Sequence, residues 1–304
     1  MLPAPKQLIV VVGPTGVGKT TCCIQLAQYL QAEIISADAR QCYQGMRIGT
    51  AQPTAEDMQN VPHHLINCLP LQQPYNAALF ARDAHNILER LWKQHNQVLV
   101  TGGSGLYINA LCQGLDHMPH VPPTIRTLLQ NKLHKEGLPV LAKMLSSYDP
   151  QYYRMVDKAN PQRILRALEI CLATGKPYST FRTRQPPTHA FRTIMIGLQR
   201  ERQELYQRID QRVDEMLQQG LIQEATTLYP YRHYNALQTI GYREIFGYLA
   251  GHYDQAAAIS LLKRNTRRYA KRQLTWFKRH RKTRWFHPND VPAILRHIQQ
   301  TKRS

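Results

Sequence analysis

Residues 13–20 read Gly-Pro-Thr-Gly-Val-Gly-Lys-Thr, a complete G-x-x-x-x-G-K-T phosphate loop. Its flanks supply the context that such a loop needs. Leu8–Val12 (LIVVV) is a short, apolar, β-branched run, the pattern of a strand buried on both faces. Thr20–Leu30 (TTCCIQLAQYL) reads as a helix. A loop between such a strand and helix aims successive backbone N–H groups and the positive helix end at a phosphate. Gly13, Pro14, Thr15, Gly16, Val17 and Gly18 form the cradle, Lys19 reaches the terminal phosphates, and the Thr20 hydroxyl is a ligand for Mg²⁺. The loop specifies a phosphate and a phosphate-loop NTPase-like α/β fold. It does not specify which phosphate, or its fate.

Outward from the loop, Glu33–Ala37 is a second short strand ending at Asp38. Tyr75–Lys93 has a helical pattern. Gln97–Thr101 is a third strand, closed by the turn Gly102-Gly103-Ser104-Gly105, and Leu106–Leu111 starts another helix. Ligands of open α/β sheets bind beyond the carboxyl ends of the strands. Asp38 is therefore expected to face the phosphate loop, as a general base or as an outer ligand of magnesium. A phosphate-loop NTPase commonly ends the third strand in an acid that helps to hold Mg²⁺. Here Thr101-Gly102-Gly103-Ser104 stands in its place. Either another acid serves, or the bound diphosphate is a leaving group rather than part of a nucleotide energy source.

Residues 113–190 differ in character. They are rich in proline and in helical patterns (Thr124–Lys135, Leu138–Ser147, Gln162–Ala173) and lack strand-like runs, with Arg182–Ala190 as a return linker. Thr193–Leu198 (TIMIGL) then reads as a strand that rejoins the sheet. The expected organisation is a core of residues 1–112 and 191–304, a helical insertion of 113–190, and a helical C-terminal region (Arg202–Gln219, Gln223–Leu228, Tyr242–Leu249, Gln255–Phe277).

The chain has 304 residues, 43% of them hydrophobic, and a formal net charge of +19. That charge points to a polyanionic partner, which a small-metabolite kinase does not need. Lys263–Arg284 holds eleven Lys or Arg and no acid. Arg264, Arg267, Arg268, Lys271 and Arg272 follow a helical repeat that puts them on one face. Tyr269, Trp276 and Phe277 are interleaved, either to stack on bases or to pack inward. Cysteines at 22, 23, 42, 68, 112 and 171 form no C-x-x-C and read as reduced thiols. His63-His64 lacks partners for a metal and reads as loop histidines lining the cleft. With no run of about 20 apolar residues and an N-terminus that enters the first strand directly, the expected location is the cytoplasm. The default oligomeric state is a monomer.

The motifs together resemble the bacterial tRNA dimethylallyltransferases, also called tRNA isopentenyltransferases. The resemblance rests on Gly13–Thr20, Ile35-Ser36-Ala37-Asp38, Gln41, Tyr43, Ile48-Gly49-Thr50-Ala51, Val61-Pro62-His63-His64-Leu65 and Gly102–Tyr107. It continues through Gln162-Arg163-x-x-Arg166, Thr174-Gly175-Lys176, Gly241-Tyr242-Arg243-Glu244 and Tyr269–Trp276. It implies transfer of a dimethylallyl group from dimethylallyl diphosphate to N6 of adenosine at tRNA position 37, with Mg²⁺ as cofactor. Asp38 is then the general base, and Lys19 and Mg²⁺ on Thr20 neutralise the departing diphosphate. Asp38, Ala39, Arg40 and Gln41 hold the flipped adenine, while Ser104 and Arg126 contact the tRNA near the reaction centre. Gln162, Arg163, Ile164, Leu165 and Arg166 grip the anticodon stem-loop, and Arg243, Arg264, Arg267, Arg268, Lys271 and Arg272 add RNA contacts. Three positions depart from the family pattern. Ser104 stands for Thr, Ala39 follows Asp38 where Ser is frequent, and Gln52 replaces a frequent Lys. Two other readings remain at this point: an isopentenyltransferase acting on free adenine nucleotides, and a nucleic-acid-binding phosphate-loop NTPase. The insertion and the charge weigh against the first, and the missing acid against the second.

Overall fold

The computed structural model describes residues 6–183 and 191–302. The greater part of the expected return linker, residues 184–190, lies outside the described residues. Six parallel strands form one sheet in the order β3-β2-β4-β1-β5-β6. They are β1 (Gln7–Val12), β2 (Ile34–Ser36), β3 (His63–His64), β4 (Gln97–Gly102), β5 (Arg192–Leu198) and β6 (Arg284–Phe286). Strand β1 lies between β4 and β5, with Val10 opposite both Val100 and Met195.

All six residues of β1 are buried, and their alternation feeds two layers. Leu8, Val10 and Val12 pack with α3 (Ala77–Leu91) and α4 (Gly105–Gln113) through Phe80, Leu88, Ile108 and Leu111. Ile9 and Val11 pack on the other face with Leu26, Ile209 and Ile294, from α1 (Lys19–Leu30), α9 (Arg202–Gln218) and α13 (Val291–Lys302). Around these run α2 (Ala55–Met58), α10 (Leu221–Leu228), α11 (Tyr242–Leu249) and α12 (Gln255–Phe277). The region beyond residue 200 is not all helix: β6 adds an edge strand beside β5, with Gly197 paired to Trp285. His63 and His64 also form an edge strand, beside β2, rather than a cleft loop.

The chain divides into two compact units, Met1–Gln113 with Thr188–Ser304 and Gly114–Pro187. The second unit contains α5 (Pro123–Glu136), α6 (Leu138–Tyr148), α7 (Pro150–Met155) and α8 (Pro161–Thr174) around Leu129, Leu141, Leu145, Ile164 and Leu168. Fully buried Asp149 organises it. Its carboxylate accepts from the amide of Tyr152 (2.8 Å), capping α7, and from the amide (2.6 Å) and hydroxyl (3.0 Å) of Ser179. Ile164 is fully buried and Leu165 is 6% exposed, so both side chains serve this core, at positions for which the resemblance implies RNA contacts.

Candidate active site

A cavity of about 800 Å³ opens at the carboxyl ends of β1, β2 and β4. The phosphate loop, residues 38–41, the Gly102–Ser104 turn, Arg208 and Arg212 of α9, and Tyr269 of α12 line it. Gly18 precedes α1 at φ 103°, which only glycine adopts without strain, and no side chain caps the helix. Its first-turn amides therefore point into the cavity without a protein cap, as an anion requires.

Cations also hold the loop through its carbonyls. Lys19 Nζ donates to the carbonyls of Gly13 (3.0 Å) and Pro14 (2.8 Å). Arg208 donates to Gly16 O (3.1 Å) and Arg200 to Val17 O (2.8 Å). Burial draws the Lys19 ammonium down to about 8, against an upward pull from Asp38. Arg212 also lines the cavity; burial lowers its pKa, opposed first by Asp38. Neither Arg208 nor Arg212 follows from the sequence motifs. The available signal is their i, i+4 spacing on α9, which puts both on the cavity face.

Asp38 closes an Asx turn, its Oδ1 accepting from the amides of Arg40 (2.9 Å) and Gln41 (3.3 Å). Ser104 Oγ accepts from Ala39 N (2.9 Å), so the hydroxyl fixes the residue next to Asp38. A Cβ at Gly102 would lie 2.1 Å from Ala37 O, so only glycine lets the ends of β2 and β4 come this close. The Gln41 side chain donates to Thr50 O (3.1 Å) and Ala51 O (2.9 Å). Gln52, 8% exposed, donates to the carbonyls of Gln41 (2.9 Å) and Tyr43 (2.8 Å), pinning the same loop. Glu224 holds that loop's far end through the amides of Ile48 and Gly49, both at 2.8 Å.

Gln273, 6% exposed, joins the two halves of the cavity. Its Oε1 accepts from Thr15 N (2.8 Å) and its Nε2 donates to Gly103 O (2.9 Å). The sequence places Gln273 only within a resemblance motif; its role appears once α12 folds over the loop. Gln273→Leu is expected to lower stability by about 1–3 kcal/mol, because a buried donor and a buried acceptor lose their partners together. Urea unfolding of the whole chain measures this.

The basic helix is less uniform than its sequence. Arg264, Arg268, Lys271 and Arg272 are exposed. Arg267 is not part of that open face: its guanidinium binds the Asp210 carboxylate of α9 at 2.5 and 2.7 Å. Lys263 pairs with Asp214 in the same way (2.6 Å). Phe277 packs fully inward, and Tyr269 lines the cavity with its phenol pushed up to about 12 by burial.

On α8, Gln162 and Arg163 are exposed, whereas Arg166 and Arg126 share nearly buried Glu169. Arg126 binds that carboxylate through two donors, at 2.9 and 3.1 Å. Arg243 is exposed on α11. His64 (2.6 Å) and His95 (3.4 Å) flank the Glu33 carboxylate. Among the described residues no His, Cys, Asp and Glu cluster suits a metal ion, and no helix is long and apolar enough to cross a membrane.

The parallel sheet, the uncapped phosphate loop and the cation-lined cavity with its facing carboxylate define a protein of the phosphate-loop class. Residues 41–280 match the model of the family described as IPP transferase, and the chain belongs to that family. It is 47% identical over 294 residues to tRNA dimethylallyltransferase 1 of Bacteroides fragilis, covering 97% of this chain and 98% of that one. It is 44% identical to tRNA dimethylallyltransferase of Cytophaga hutchinsonii, covering 97% of each. Among solved structures it is similar to the tRNA isopentenylpyrophosphate transferase of Bacillus halodurans, with TM-score 0.73, 37% identity, and coverage of 98% and 97% of the two chains. A eukaryotic dimethylallyltransferase acting on tRNA gives TM-score 0.74 at 29% identity, over 89% of this chain and 69% of that one.

Proposed function

We propose that the cavity binds dimethylallyl diphosphate, and that its dimethylallyl group passes to N6 of adenosine 37 in the tRNA anticodon loop. Family membership makes the chain a prenyltransferase that modifies a tRNA adenosine. The observation that carries the finer reading is one cavity with a phosphate loop and two cations, Lys19 and Arg212, beside the Asp38 carboxylate at the end of β2. The uncapped amides, Lys19 and Arg212 bind the diphosphate. The adenine leaves the base stack to reach the turn at Asp38. A bond forms between N6 and C1 of the dimethylallyl group, and the C1–O bond breaks. Its electron pair leaves on the diphosphate, where Lys19 and Arg212 stabilise it, and the N6 proton goes to Asp38.

Thr20 fits Mg²⁺: its hydroxyl supplies a hard oxygen at the cavity wall, beside the phosphate loop. Bound there, the ion would neutralise diphosphate charge. We place the RNA on Ala39, Arg40, Ser104 and Arg243, on the exposed face of α12, and on Gln162, Arg163, Arg166 and Arg126 of the helical unit. The Glu169 carboxylate aligns the last two arginines. A cytoplasmic monomer suits this role.

Incubation with dimethylallyl diphosphate, Mg²⁺ and unmodified tRNA, followed by nucleoside mass spectrometry, should yield N6-dimethylallyladenosine. Product from AMP and none from tRNA would overturn the reading. Arg264→Ala/Arg268→Ala/Lys271→Ala should flatten the salt dependence of tRNA binding by about 0.7–0.9 of a log–log unit for each phosphate left without its cation, with little change in melting temperature. Arg267→Ala should lower the melting temperature instead, because Asp210 loses its partner.

A further inference from the structure

The segment between α10 and α11 carries an aromatic and basic cluster that the site described above does not use. It contains two 3-10 turns, Tyr229–Tyr231 and Asn235–Leu237. Buried Ala236 and Leu237 root it in the core, and Tyr229 packs edge-on against Phe246 (5.6 Å). Tyr231, Arg232 and His233 stay exposed, Tyr231 at 44%. The rings are already ordered. Tyr231 and Tyr234 are nearly parallel, with an interplanar angle of 7° and centroids 6.1 Å apart, and His233 lies 4.3 Å from Tyr234. Arg232 covers Tyr229 at 4.4 Å and donates to its carbonyl (3.1 Å).

The cluster is continuous with the cavity. Arg40, two residues from Asp38, donates to Asn235 O (2.8 Å), and the chain runs on into Thr239, Ile240 and Gly241 of the cavity wall. Core packing does not require rings that keep a face in water. A partner read only through its phosphates requires cations but no rings. A nucleobase uses both, since every base presents a π-face and stacks on tyrosine, histidine or a guanidinium plane.

We propose that Tyr231, His233 and Tyr234 form a stacking site for one unpaired nucleotide that flanks the adenosine in the cavity. The site rests on the tRNA reading of the cavity and adds to it a base contact outside the reaction centre. Tyr231 and His233 are exposed, so truncating these two leaves the fold intact.

The test uses the full chain and an anticodon stem-loop RNA. Tyr231→Ala/His233→Ala should raise KM for the RNA about tenfold, as expected when a base loses its stacking partners, with the loss in KM rather than kcat. Tyr231→Phe/His233→Phe, which keeps the rings, should restore KM. Removing loop bases one at a time, the target excepted, should weaken wild-type binding at one position, and that penalty should vanish in the Ala variant. An unchanged KM in the Ala variant, or base-removal penalties identical in both proteins, overturns the stacking site alone. If the wild type makes no product from the intact stem-loop, the tRNA reading falls and the stacking site with it.

Discussion

Asp38→Asn should lower kcat by about 10²–10⁴-fold, the range for loss of a general base, while tRNA binds as before. Asparagine keeps the side-chain oxygen that accepts from Arg40 N and Gln41 N, so the turn survives. It cannot take the N6 proton, and it removes the negative charge that supports Lys19 and Arg212. Single-turnover product formation separates the rate from the affinity measured by filter binding. Equal losses in both would mean that Asp38 only shapes the turn.

Lys19→Met should lower kcat/KM for dimethylallyl diphosphate by about 10²–10³-fold, the order found when one preorganised donor to a developing oxyanion is removed. Its pH dependence has a definite sign. Burial holds the ammonium near 8 instead of 10.5. The charged form, the one proposed to bind diphosphate, therefore prevails below pH 8 and is lost as pH rises through that value. The kcat/KM profile, which reports the free enzyme, should carry an alkaline limb near 8. Bound diphosphate favours the ammonium, so the limb in kcat should lie higher. Lys19→Arg should remove the limb, because a guanidinium stays charged. A limb that persists in Lys19→Arg belongs to another group.

The phosphate loop, β1 and α1 are legible because local pattern decides them: a β-branched run, glycines at required positions, then a helix. Strands β3 and β6 are not, since two or three residues show no period and exist through their neighbours. The candidate site divides the same way. Lys19, Asp38 and Ser104 follow from loop position and strand ends. Arg212 and Gln273 join the cavity only when α9 and α12 fold over it. Charge counts also conceal pairing. Arg267 has no acid near it in sequence, yet Asp210 meets it across the helix interface. Ile164 and Leu165 sit inside a segment expected from resemblance to grip RNA, but α8 turns their side chains into its own core.

The position of β1 also sets a timetable for the nascent chain. Gln7–Val12 emerges early, but one of its neighbours, Arg192–Leu198, is synthesised much later. At translation rates the wait is roughly 10–40 s. In that interval the most apolar strand stays unpaired along one edge, whereas Gly114–Pro187, stabilised by local helical contacts, can form its own core. The central strand thus gains its second partner only after the whole of the intervening helical unit has been made.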